Sequence, residues 1–209
     1  MMDFLNKPSR RRRGRYERKR SFGPKDLMLL IHDLACVLVA VTLIFTFFVR
    51  MGTVFGMSMY PTLTHQDRLL VLSNVWYAHP QRGDIVVALA PEFSQEPIVK
   101  RVIAVAGDRV DIDFSLGIVY VNGEALEEPY VNAPTTADFG AQGIGFPLVV
   151  EENHVFLMGD NRNDSYDSRY YAIGQVDTRN ILGKVLVLAF PGEDPENDKR
   201  DFSRLGLID

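Results

Sequence analysis

The stretch Pro97-Ile98-Val99-Lys100-Arg101-Val102-Ile103-Ala104-Val105-Ala106-Gly107-Asp108 reads as a β-strand that runs into a turn. It is short, apolar around a central basic pair, and closed by turn residues. Runs of the same kind lie on both sides: Arg68–Leu72, Asp84–Leu89, Arg109–Phe114, Ile118–Val121, His154–Met158 and Lys184–Phe190. Pro80-Gln81-Arg82-Gly83 and Asn122-Gly123 punctuate them, and an Asn-Gly pair suits a tight hairpin with positive φ. No long segment of 3.6-residue period follows residue 50, and there is no internal repeat. These features predict an all-β domain over 51–190, with antiparallel sheets in a sandwich or partly closed barrel. Within it, Glu124–Val150, broken by Gly140, Gly143, Gly145 and Pro147, reads as an inserted loop region, and the acidic segment 191–209 as a loosely held polar tail.

Ahead of this domain stands Leu27–Val49, whose ionisable groups are His32 and Asp33. As a helix at ~1.5 Å per residue it reaches about 35 Å, enough to cross a hydrocarbon core of ~30 Å. It predicts a single transmembrane anchor over 27–49. Residues 1–25 carry ten Lys or Arg against Asp3 and Glu17, a net charge of +8, in a chain whose formal net charge is −4. A basic flank of this kind stays cytoplasmic, which predicts a cytoplasmic tail over 1–26 and an extracytoplasmic domain after the anchor. The apolar run ends Phe45-Thr46-Phe47-Phe48-Val49-Arg50, too bulky for a small-residue cleavage site, so the anchor is expected to be permanent. As a topology determinant the arginine run needs no nucleic acid. The single Cys36 excludes a disulfide framework, and four scattered His offer no zinc-type spacing, so neither metal nor cofactor is expected.

Three segments are dense in reactive groups. Gly56-Met57-Ser58-Met59-Tyr60-Pro61 holds a serine in a constrained turn, although most serines in turns do nothing more. In the strand quoted first, period two puts Lys100 on one face with Ile98, Val102 and Ala104. Desolvation there would favour a neutral amine, able to act as a base towards a serine hydroxyl; the alternative is an edge lysine that snorkels to water. The third segment, Met158-Gly159-Asp160-Asn161-Arg162-Asn163-Asp164-Ser165-Tyr166-Asp167-Ser168-Arg169, is a solvated turn, a calcium loop or a hydrogen-bonded network. It lacks EF-hand spacing, and its arginines among aspartates favour the network. Asn163-Asp164-Ser165 is also a glycosylation sequon. No pattern around His65 or His154 supports a Ser-His-Asp triad.

Taken in order, these segments resemble the type I bacterial signal peptidases, membrane-anchored Ser/Lys proteases. The resemblance runs from the anchor to about Phe190 and rests on Ser58–Leu63, Arg82–Val87, Lys100–Ile103 with Gly107-Asp108, and Gly159–Arg169. It implies an endopeptidase that removes signal peptides from exported preproteins, cutting after small residues beside the secretion translocon, at the lipid bilayer of the cell membrane. Ser58 would be the nucleophile, Lys100 the general base, and Ser165 the serine that orients the lysine. Asp160, Arg162, Asp167 and Arg169 would form a supporting ionic network whose carboxylates pair with the arginines, away from Lys100. Some members carry a serine two residues before the nucleophile; here Gly56 stands there, so backbone N–H groups, that of Ser58 included, must bind the oxyanion. Val54, Met59, Leu63, Ile98 and Val99, neighbours of the dyad in sequence, are the expected walls of a shallow pocket, and the substrate would add as an extended strand. Two rivals are a self-cleaving repressor-like Ser/Lys protease, which would need a DNA-binding module, and an anchored β-domain that only binds partners.

Overall fold

The computed structural model describes residues 23–194 and 199–208; most of the basic tail expected over 1–26 lies outside them. The chain divides between Val41 and Thr42 into two compact units. Helix α1 runs Pro24–Phe47 and buries none of its side chains, with a mean hydropathy of 2.5 over its most apolar window. It is long and apolar enough to cross a membrane. Pro24 takes the first helical position, where its missing N–H costs nothing. The Asp26 carboxylate reaches back to accept from Gly23 N at 2.8 Å, closing one half of a capping box. The helix therefore starts and stops earlier than the expected 27–49, because Val49 already pairs with Leu72 in a sheet.

Twelve strands follow among the described residues. They are β1 (Val49–Thr53), β2 (Arg68–Ser73), β3 (Ile85–Ala90), β4 (Ser94–Val105), β5 (Arg109–Asp113) and β6 (Ile118–Val121). After them come β7 (Glu124–Ala125), β8 (Leu148–Val149), β9 (His154–Met158), β10 (Val176–Asp177), β11 (Ile181–Phe190) and β12 (Gly206–Leu207). All pair antiparallel. One sheet has the order β1-β2-β11-β3-β4-β9-β10, with β12 also on β11, and a smaller one the order β7-β6-β5-β8. The expected antiparallel all-β class holds, but the sheets do not close into a barrel. Closure would require β1 and β10 to pair, and each has a single neighbour on the described chain.

Sequence pattern and structure agree closely where strands are long. The Asn122-Gly123 turn takes positive φ at both residues, 57° and 86°, and joins β6 to β7 as a tight hairpin. One departure concerns the alternation of β4. A register shift against β9 between Val102 and Ala104 turns Ala104 into the cluster of Ile103, Val110, Phe156 and Met158. Val102 packs instead with Val86, Val155 and Leu157. The face expected to run Ile98, Lys100, Val102, Ala104 is thus broken at its last member by a bulge.

The acidic tail is also not loosely held among its described residues. Pro191 and Gly192 are buried, β12 pairs with β11, and Arg204 forms an ion pair with the buried Asp67. A buried carboxylate needs a cation and hydrogen-bond donors, and the tail supplies both.

Candidate active site

Ser58 sits on the loop between β1 and β2. Gly56, at φ +93°, makes the turn that precedes it, a conformation that side-chain-bearing residues rarely take. Two bonds from the third segment clamp the loop: Asn161 N donates to Ser58 O at 3.0 Å, and Asn161 Nδ2 to Met57 O at 3.2 Å. Gly159 makes this approach possible, because a Cβ there would stand 2.4 Å from Ser58 O and 2.2 Å from Ser165 Oγ.

Lys100 approaches from β4. Its Nζ lies 2.6 Å from Ser58 Oγ and 3.1 Å from Val99 O, and the residue is 4% exposed. Burial pushes its amine from the ordinary 10.5 down to about 8. Asp167 and Asp160 oppose that shift and Arg169 adds to it. The order of these effects has a visible cause. Both carboxylates are spent on guanidinium groups, so the loss of water around the amine outweighs them.

The pairing of the third segment differs from a network closed on itself. Asp167 is held by Arg169, through Nε and Nη2 at 2.8 Å each, and accepts from Gly159 N. Asp160 is instead gripped by Arg101, Nε at 2.9 Å and Nη2 at 2.8 Å. Arg162 pairs with Glu128, from the expected loop region, and donates to Thr135 Oγ1. Arg101, Glu128 and Thr62, whose hydroxyl donates to Asp160 at 2.5 Å, are partners that sequence reasoning missed. Tyr130 stacks over the Arg101 guanidinium at 4.0 Å, an attraction that strengthens away from water. A signal for Arg101 was present: neighbours in a strand point to opposite faces, so a buried Lys100 sends Arg101 to the other side.

Ser165 is buried, but among the described residues its Oγ has no hydrogen-bond partner, so the expected bond to Lys100 is not formed in this arrangement. The histidines stand elsewhere. His65 Nδ1 accepts from Gly56 N at 3.1 Å, and His154 Nδ1 lies 2.9 Å from Glu152 O.

Lys100 and Ser58 open into a cleft of about 610 Å³. Of the residues expected to wall it, Val54, Met59, Ile98 and Val99 line it, while Leu63 lies beneath in the core with Leu69 and Val185. Leu69, Val71, Val87, Phe93 and Leu182 are among the other apolar residues that line it. Two strand edges flank the cleft. Among the described residues β1 pairs only with β2, and β4 meets β9 from Arg101 onwards, leaving Ser94–Val99 on the β3 side alone. Such edges offer unpaired N–H and C=O groups to an extended peptide.

Residues 27–190 match the family model described as signal peptidase, peptidase S26. A probable signal peptidase I of Synechocystis sp. is 38% identical over 141 residues, covering 64% of this chain and 60% of that protein's length. The signal peptidase I of Bacillus licheniformis is 33% identical over 186 residues, covering 84% of this chain and 95% of its own. Among solved structures, a signal peptidase I from Enterococcus faecalis superposes with a TM-score of 0.42 at 31% identity, over 51% of this chain and 96% of that one.

Proposed function

The chain belongs to the signal peptidase S26 family, and on that premise we propose that it is a membrane-anchored serine endopeptidase that removes signal peptides by a Ser/Lys dyad. One observation carries the mechanism: a buried amine, its charged form disfavoured by its surroundings, 2.6 Å from a serine hydroxyl at the head of an apolar cleft. Neutral Lys100 takes the Ser58 proton as Oγ adds to the scissile carbonyl. The resulting ammonium then protonates the departing amine, leaving an acyl-serine. Water, deprotonated by the same amine, adds to the acyl carbon and releases the new carboxylate, returning Ser58 and Lys100 to their starting forms.

With Gly56 two residues before the nucleophile, the Ser58 backbone N–H serves as a donor to the developing oxyanion. A substrate lies extended along the free edges of β1 and β4, and the apolar walls admit small side chains before the cut. Ser165 and the Asp160, Arg162, Asp167 and Arg169 pairs act as supports. In this reading α1 spans the bilayer with residues 1–26 on the cytoplasmic side, and preproteins reach the enzyme beside the translocon.

The reading is tested by cleavage of a purified preprotein in detergent. The expected product begins immediately after a small residue. Activity should also rise with pH through an apparent value of about 8, the value to which burial brings Lys100, because only the neutral amine accepts the proton. A folded protein that cuts no preprotein, or a flat profile from pH 6 to 10, would overturn it.

A further inference from the structure

The loop that carries Ser58 does not end at the third segment's clamp. It continues through Thr62, Leu63 and Thr64 to Asp67, and this far end is tied to residues beyond the 27–190 covered by the family model. Asp67 is fully buried, and Arg204 is its ion-pair partner among the described residues, Nη2 to Oδ2 at 2.6 Å. The same guanidinium donates to Thr64 Oγ1 at 3.0 Å and to Thr62 O at 3.2 Å. Gly192 N adds a 2.6 Å bond to Asp67 Oδ1. Its backbone passes so close that a Cβ would stand 2.0 Å from His65 O.

Thr62 is therefore held from two directions. Its hydroxyl donates to Asp160, part of the network beside the dyad, and its carbonyl accepts from Arg204. Between Thr62 and the nucleophile the loop is closed by two overlapping turn bonds, Tyr60 N to Met57 O at 3.0 Å and Leu63 N to Met59 O at 2.8 Å, little more than a single turn. A turn that short transmits a displacement at Thr62 to Ser58 with little loss. Catalysis that depends on a serine and an amine in contact loses rate steeply when one of them drifts by a fraction of an ångström.

We infer that Arg204, with Gly192, is a strap that positions the nucleophile: it fixes Thr62 and Asp67 so that Ser58 stays within reach of Lys100. Among the described residues the Arg204 guanidinium bonds Asp67, Thr64 and Thr62 rather than Ser58 or Lys100, and it acts through the loop. The forked guanidinium suits this role, because its two terminal nitrogens divide the contacts, Nη1 to Thr64 and Asp67 and Nη2 to Thr62 and Asp67, where an ammonium has a single nitrogen for all of them. The inference rests on the peptidase reading for its kinetic expression, though not for its geometry.

The test uses the full chain in detergent and compares wild type, Arg204→Ala and Arg204→Lys on one preprotein. For Arg204→Ala, kcat is expected to fall about tenfold with KM within twofold, since the strap does not face the cleft. Arg204→Lys should regain most of the thermal stability, by restoring a cation to Asp67, but little of kcat. That split separates positioning from mere support, which would move stability alone. Wild-type kcat in a folded Arg204→Ala protein, or in Arg204→Lys should the alanine variant not fold, would overturn the inference. If wild type itself cuts no preprotein, the peptidase reading fails, and hydrogen exchange decides the strap: faster exchange of the Leu63 amide in Arg204→Lys supports it, and unchanged exchange overturns it.

Discussion

Ser58→Ala and Lys100→Met are each expected to abolish preprotein cleavage, by on the order of 10⁴-fold or more, while the domain stays folded. The two losses should not add in the double variant, because nucleophile and base act as one unit. The lysine variant carries a second expectation of opposite sign. Burial depresses the Lys100 amine from 10.5 to about 8, so the folded state disfavours the ammonium that the unfolded chain carries freely. This penalty is absent above the unfolded value, grows as the pH falls, and is complete once the pH has passed below about 8. Methionine has no charge to desolvate. Lys100→Met should therefore be more stable than wild type at pH 6, by on the order of 3 kcal/mol, with the gap shrinking towards pH 10. Thermal unfolding at the two pH values measures it. A variant that is dead and no more stable at pH 6 would mean that the amine is not strained by burial.

The largest stability effect belongs to Asp160. Asp160→Ala should lower stability by about 3–5 kcal/mol, because it removes the carboxylate that the buried Arg101 guanidinium grips through two bonds. The Arg101 side chain is 2% exposed and the Asp160 side chain fully buried, so water cannot replace the lost partner. At ~2–4 °C per kcal/mol for a domain of this size, Tm should drop by roughly 10 °C. Thr62 loses its acceptor in the same step, so kcat measured on the remaining folded protein should fall too. The paired replacement Asp160→Leu with Arg101→Leu separates the effects: it should recover stability without recovering activity, since no charge is stranded but Thr62 stays unanchored. Recovery of both would place Asp160 outside the support of the nucleophile loop.

What could be read along the chain follows from range. Strand alternation, the Asn122-Gly123 hairpin and the apolar run of α1 are patterns of neighbours, and they gave elements close to those observed. Strands of two residues, β7, β8, β10 and β12, carry too little pattern to register. β1 was hidden because its first residue extends the apolar run of the anchor. The walls of the cleft show the same limit. Val54, Met59, Ile98 and Val99 line it, but Leu63 does not, because the single turn from Met59 to Leu63 carries that side chain under the loop into the core.

The sequence by itself singled out the residues proposed to bear the chemistry: a serine in a glycine-led turn, a lysine in an apolar strand, a run of arginines and aspartates, and one apolar helix. Those are properties of residue type and local period, and no folding is needed to state them. Only the tertiary structure decided who pairs with whom. Arg101 reaches Asp160, Glu128 holds Arg162, and Arg204 crosses back to Asp67. Any arginine here is chemically able to bind any carboxylate. The choice is made by distances that exist only after the strands have packed, when burial removes water and makes each unpaired charge costly.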